Sequence, residues 1–238
     1  MFKACIVSAF LFMFMSVAHS LTWYYDFGLS NAEYSIASSE SWSFLPPAQA
    51  GISKIKLGDA GGYIRLQNPG LGSLGINSEL QIAASASGNN NKFSLYNYPG
   101  SGLFYTSFDI LFGDNSGAGT VSQGTFYFSQ GNGDSFTNNG GFVAAEMFSG
   151  LQWVFGSNGS LTLKYRNGST WSVLGASNVF QGILYSVELY GNNSGTNTTY
   201  YRGGNAYVLA YNKQDIWING VRIGGLSKGG IAGGSNID

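Results

Sequence analysis

Apolar and polar positions alternate with period two through much of this chain, in runs too short for helices. The clearest run is Asp215-Ile216-Trp217-Ile218-Asn219-Gly220-Val221-Arg222-Ile223. Asn-Gly between alternating segments predicts a two-residue type I′ hairpin, because both central residues must take positive φ. Such a loop pairs Ile218 with Val221, Trp217 with Arg222 and Ile216 with Ile223. The four aliphatic residues then share one face, and Trp217 and Arg222 share the other.

Comparable runs occupy 51–57, 62–67, 79–86, 92–98, 102–112, 124–129, 142–148, 151–155, 160–165, 169–174, 179–190 and 205–211, with Gly, Asn, Ser or Pro between them. Residues 21–27 read as a first strand. Residues 28–50 read as loop with room for one edge strand, since Pro46-Pro47 cannot sit in a central ladder. The run 103–112 sets Phe104, Phe108, Ile110 and Phe112 on one side; the run 183–190 turns Tyr185, Val187 and Leu189 inward and Ser186 and Glu188 outward. A second Asn-Gly, Asn167-Gly168, has no clean two-residue register. A three-residue loop over Arg166-Asn167-Gly168 pairs Leu163 with Trp171 and Leu161 with Val173, with Gly168 left-handed as a G1 bulge. No window shows helical periodicity. The pattern predicts an all-β chain folded as a two-sheet antiparallel β-sandwich.

Residues 1–20 have the form of a secretory signal peptide: Lys3, an apolar stretch to Val17, then Ala18-His19-Ser20. The reading places the mature protein, from Leu21, outside the cell or at its surface. The apolar stretch is short for a membrane span, and none is expected in the mature chain. Residues 21–50 then join a sandwich built from 51–238. With Lys3 set aside, 10 of the 11 basic residues stand against 12 acidic ones. No basic stripe exists for phosphates, so a nucleic-acid partner is not expected. The 36 glycines suit turns, while 5 Trp, 15 Tyr and 17 Phe argue for a packed core rather than a disordered chain.

The only Cys and the only His, Cys5 and His19, both lie in the leader. Without a mature imidazole, Ser-His-Asp and Cys-His nucleophiles, His-ligated zinc and His general bases are all removed. Glycoside hydrolysis needs only two carboxylates. Glu146 and Glu188 lie on predicted strands and could meet across a sheet, or could equally be two solvated carboxylates. Carbohydrate binding needs an exposed ring to stack on a sugar, with polar groups beside it. Trp217 with Arg222 is the first candidate, and Trp153 and Tyr127 follow. The same Trp–Arg pair would also serve as a structural cation–π contact or as the inner face of a second layer. Four Asn-x-Ser/Thr sequons start at Asn158, Asn167, Asn192 and Asn197, which chance explains in a chain this rich in Asn and Ser.

Asn91-Lys92-Phe93-Ser94-Leu95-Tyr96, Tyr105-Thr106-Ser107-Phe108-Asp109, Gly124-Thr125-Phe126-Tyr127-Phe128, Tyr185-Ser186-Val187-Glu188-Leu189-Tyr190 and Asp215-Ile216-Trp217-Ile218-Asn219-Gly220 follow in that order. Together they resemble bacterial secreted proteins with a concanavalin A-like (laminin G-like) jelly roll, over roughly residues 60–238. The resemblance implies the jelly-roll sandwich of lectins and glucanases, with a closing strand beyond Ser235-Asn236-Ile237-Asp238. It also makes calcium the candidate cofactor, and two loops qualify by composition, through Asp114 and Asn115 and through Asn132 and Asp134. Ordinary turn chemistry accounts for the same residues. The Glu-x-Asp-x-Glu motif of jelly-roll glucanases is absent, since no two of the 12 acids stand two apart. The expectation is a secreted, non-catalytic module that binds a polysaccharide or other glycan, or mediates adhesion. The alternatives are a structural surface or biofilm protein without a small ligand, and a glycoside hydrolase with an atypical carboxylate pair.

Overall fold

The long alternating runs become long strands. The computed structural model describes residues 27–29, 31–34, 52–58, 61–68, 74, 78–83, 90–113, 121–175 and 179–238. The signal-peptide reading, most of 21–50, and Asp114 and Asn115 lie outside the described residues.

Two sheets carry the fold. The first contains β7 (Thr125–Gly131), β8 (Met147–Phe155), β9 (Ser160–Asn167) and β10 (Thr170–Val173) in the order β10-β9-β8-β7, with β11 (Val179–Phe180) also on β9. The second contains β6 (Leu103–Leu111), β12 (Leu184–Asn192), β15 (Lys213–Ile218) and β16 (Val221–Ser227) in the order β16-β15-β12-β6. Strand pairing within both is antiparallel. They pack as a β-sandwich around one core. Leu151, Trp153, Leu161 and Leu163 come from the first sheet, and Tyr185, Val187, Leu189 and Ile216 from the second. Phe104, Phe108 and Ile110 pack against this core, as their shared parity requires.

The Asn219-Gly220 hairpin has the expected register, Ile216 to Ile223, Trp217 to Arg222 and Ile218 to Val221. Both turn residues take positive φ, 47° and 79°. The other Asn-Gly differs. Asn167 pairs with Thr170 and Arg166 with Trp171, so the loop is Gly168-Ser169, two residues and no bulge. Gly168 is left-handed, φ 57°, and fills the first central position of the turn, where II′ geometry wants glycine. The deciding apolar contact is Leu163 with Leu174, whose N–H donates to the Leu163 carbonyl at 2.9 Å. Trp171 therefore turns away from the core, beside Arg166.

Three further departures matter. Residues 142–148 are not a separate strand: a 3₁₀ turn over Ala144–Glu146 leads into β8, which runs unbroken through Ser149 and Gly150. A single helical turn, α1 (Asp134–Thr137), interrupts the β pattern. A strand absent from the sequence reading, β13 (Thr198–Arg202), forms a hairpin with β14 (Asn205–Leu209) and lies over the outer face of the second sheet. Towards the N-terminus, β1 (Ala32–Tyr34), β3 (Tyr63–Gln67) and β4 (Glu79–Ala83) form one small sheet, with β1 at its edge, and β2 (Ile52–Lys56) and β5 (Lys92–Tyr96) form another. Ile55, Leu57 and Ile64 are buried where these two meet. The tail 228–238 is pinned rather than free. Gly229 and Ile231 donate to the carbonyls of Phe148 and Met147, Ser101 and Ile237 exchange backbone bonds, and Asp238 N–H reaches the Gly131 carbonyl.

Candidate ligand-binding face

Trp217 is 5% exposed and offers no open ring. The β13–β14 hairpin covers it. The Arg202 guanidinium lies 4.1 Å over its ring, Tyr207 meets it edge-on, and its Nε1 donates to the Tyr200 hydroxyl at 3.0 Å. Arg222 is spent on Asp215, with Nε at 2.9 Å and Nη2 at 2.7 Å from Oδ2. Asp215, completely buried, also accepts from the Tyr200 hydroxyl and from Gly225 N–H. Burial, and then the bond to Asp215, push the Tyr200 hydroxyl up to about 12. The Trp217–Arg222 pair is thus the inner face of a second layer, not a stacking platform. Trp153 is in the core, ringed by Phe112 and Phe126.

The two candidate catalytic carboxylates are held apart by different partners. Glu146 accepts from the Ser135 N–H at 2.7 Å and so caps α1. Hydrogen bonding to Ser135 holds its carboxyl below the usual range. Glu188 lies on the outward face of β12, bound by Nε and Nη2 of Arg202 and by the Tyr190 hydroxyl. Among the described residues no contact joins them.

Hydrogen bonds from Arg202 hold the Glu188 carboxyl below its usual range. Its folded value is depressed, so the contribution to stability is present above the unfolded pKa and lost as pH falls through the folded one. Below about pH 4.3 the wild-type protein should lose stability more steeply than Glu188→Gln. Urea midpoints measured from pH 7 to 3 check this; superimposable acid limbs would mean that the ion pair contributes nothing.

The 131–135 loop does not fit calcium. Its carbonyls and those just after it already serve ammonium groups: Lys92 Nζ donates to Ser135, Asn138 and Gly140, Lys54 to Thr137, and Lys56 to Asn139. The Glu146 carboxylate that meets the loop is taken by the Ser135 N–H, whereas calcium wants a shell of oxygens with carboxylates among them. Asn132 is bonded to the Asn236 carbonyl, and Asp134 is exposed. Among the described residues no three acidic, His or Cys side chains group as a metal would need. Burial first, then Lys54 and Lys56, lower the Lys92 pKa to about 8.

Tyr127 is different. It stands 45% exposed on the outer face of the first sheet. Registers across this sheet place Tyr127 opposite Gln152, Gln152 opposite Lys164, and Arg166 opposite Trp171. Tyr127 and Trp171 lean towards one another from β7 and β10, and their ring centroids meet at 5.6 Å with planes 50° apart. Gly150 makes this possible: a Cβ there would stand 3.1 Å from both the Trp171 ring and the Arg166 Cβ. Gln152 Nε2 donates to the Tyr127 hydroxyl at 3.1 Å, while its Oε1 is buried without a partner among the described residues. The Arg166 guanidinium lies 5.0 Å from the Trp171 ring centre, and its Nε is buried without a partner among the described residues. Burial lowers the Arg166 pKa, with the nearby Tyr127 hydroxyl opposing.

Of the four aromatic-site residues read from the sequence, then, one is on an open face, and Trp171, Gln152 and Arg166 join it there. The signal for them was the period-two spacing of Lys164 and Arg166; the wrong β9–β10 register concealed Trp171. No protein-family model, curated protein or solved structure matches this chain. Among the described residues no helix is long and apolar enough to cross a membrane.

Proposed function

We propose that this is a secreted, non-catalytic carbohydrate-binding module of jelly-roll architecture, holding its ligand on the outer face of the β7–β10 sheet. The observation that carries the reading is the Tyr127–Trp171 pair set over Gln152. Aromatic faces supply sugar stacking, and the Gln152 amide fixes the Tyr127 hydroxyl beside them. The expected result is a specific signal on a glycan array for residues 21–238, reduced at least about tenfold in Trp171→Ala and in Tyr127→Ala and unchanged in Tyr201→Ala. A blank array with folded protein would overturn the proposal. Concentration-dependent self-association in that case would favour a structural surface role, for which Tyr201 and Val208, 74% and 67% exposed on the β13–β14 hairpin, are the apolar groups available.

A further inference from the structure

Four arginines occur in the chain. Arg65, Arg202 and Arg222 each sit on a carboxylate: Glu33, Glu188 and Asp215. Among the described residues Arg166 has no carboxylate partner. It is nine-tenths buried, its Nε has no partner among those residues, and its guanidinium lies 5.0 Å from the Trp171 ring centre. Stacking on a ring uses the face of the guanidinium and leaves its in-plane N–H donors unspent. An unpaired buried cation is costly, and a fold keeps one when something supplies the counter-charge.

Nothing on this sheet does so. β7, β8, β9 and β10 contain no Asp or Glu, and the charges they carry are Lys164 and Arg166. Both point to the outer face, on the same side as Tyr127, Gln152 and Trp171. Gln152 is buried there too, with its own unpaired oxygen. An aromatic platform beside two cations and no acid is built for a ring that carries negative charge.

We infer that the ligand of this face is an acidic polysaccharide, with a carboxylate or sulfate group of the sugar taking the Arg166 donors while Tyr127 and Trp171 pack on the rings. The inference rests on the carbohydrate-binding reading above. A guanidinium fork matches either oxyanion in two-point fashion, and Lys164 adds a second, less directional charge.

The test is affinity electrophoresis of the folded wild-type protein against two matched pairs: polygalacturonate with its carboxyl-reduced form, and a sulfated galactan with its desulfated form. The expected result is binding to at least one charged member about tenfold or more tighter than to its neutral counterpart, weakened by added salt. Whichever pair shows the preference identifies the oxyanion. In Arg166→Gln the preference should vanish while the urea midpoint stays the same or rises, because an uncompensated charge has been removed. Lys164→Gln, at a half-buried position, should weaken the preference without abolishing it. Equal binding of charged and neutral members, or a preference that survives in Arg166→Gln, would overturn the inference and leave the carbohydrate-binding reading standing. Failure to bind any of the four, with a blank glycan array, would overturn both.

Discussion

Asp215→Ala should cost about 3 kcal/mol or more of unfolding free energy, the scale of a broken buried ion pair. The carboxylate is dry, and four donors converge on it: the Tyr200 hydroxyl, Nε and Nη2 of Arg222, and the Gly225 N–H. Truncation leaves the half-buried Tyr200 hydroxyl without its acceptor and Arg222 without its counter-charge. The Trp217 Nε1 loses its orientation as well, because its acceptor is the same Tyr200 hydroxyl that donates to Asp215. Arg222 retains some contact with solvent, which keeps the figure toward the lower end of its range. Tyr200→Phe removes two bonds, the one it donates to Asp215 and the one it accepts from Trp217 Nε1, and should cost about 2 kcal/mol. Urea unfolding with the slope unchanged checks both values. A loss under about 1 kcal/mol in Asp215→Ala would mean that water replaces the lost carboxylate and that the hairpin is looser than its bonds imply.

Trp153→Ala should be comparably damaging, at about 3–5 kcal/mol, for an unrelated reason. The side chain is among the largest of the fully buried ones and touches Phe112 and Phe126 at ring-centre distances of 5.3 and 5.7 Å. Its removal leaves a cavity between two sheets that are each fixed by their own hydrogen bonds and cannot collapse into it. The melting temperature should fall by roughly 10 °C for a chain of this size. Trp153→Phe should lose less than half as much. At a temperature where the variant is folded, glycan binding should be unaltered. A variant with native stability and lost binding would instead return Trp153 to the list of ligand contacts.

Legibility tracked how much each side chain depends on its own neighbours in sequence. The 215–223 hairpin could be read outright, because Asn219-Gly220 fixes the turn and the turn fixes the register. The parities of 103–112 and 185–189 were equally plain, since one face of each strand meets the core. Thr198-Thr199-Tyr200-Tyr201-Arg202 was not. Its inward residues, Tyr200 and Arg202, are satisfied by Asp215, Trp217 and Glu188, and no alternation of hydrophobicity announces an aromatic and a cation packed on one side. Missing that strand left Trp217 seemingly open. The β9–β10 register failed because Leu163 opposite Trp171 looks better as an apolar pair than Leu163 opposite Leu174, until Arg166 is given a ring to lie against. The outer face that joins Tyr127 to Trp171 was hidden by the same error, a three-residue shift in register.

The pinning of residues 228–238 sets an order of assembly. Lys228 bonds the β9–β10 turn through the N–H of Gly168, Gly229 bonds Phe148, and the position of Gly229 is within 3.3 Å of the Arg166 side chain for any added Cβ. Ser101 and Gly131 wait for Ile237 and Asp238. As the chain leaves the ribosome, β6 to β10 emerge long before the segment that walls in Arg166. Closure over such sequence separations is slow compared with hairpin formation. The nascent protein therefore carries the Arg166 side chain without its Gly229 neighbour until residues 228–238 have zipped along the sandwich.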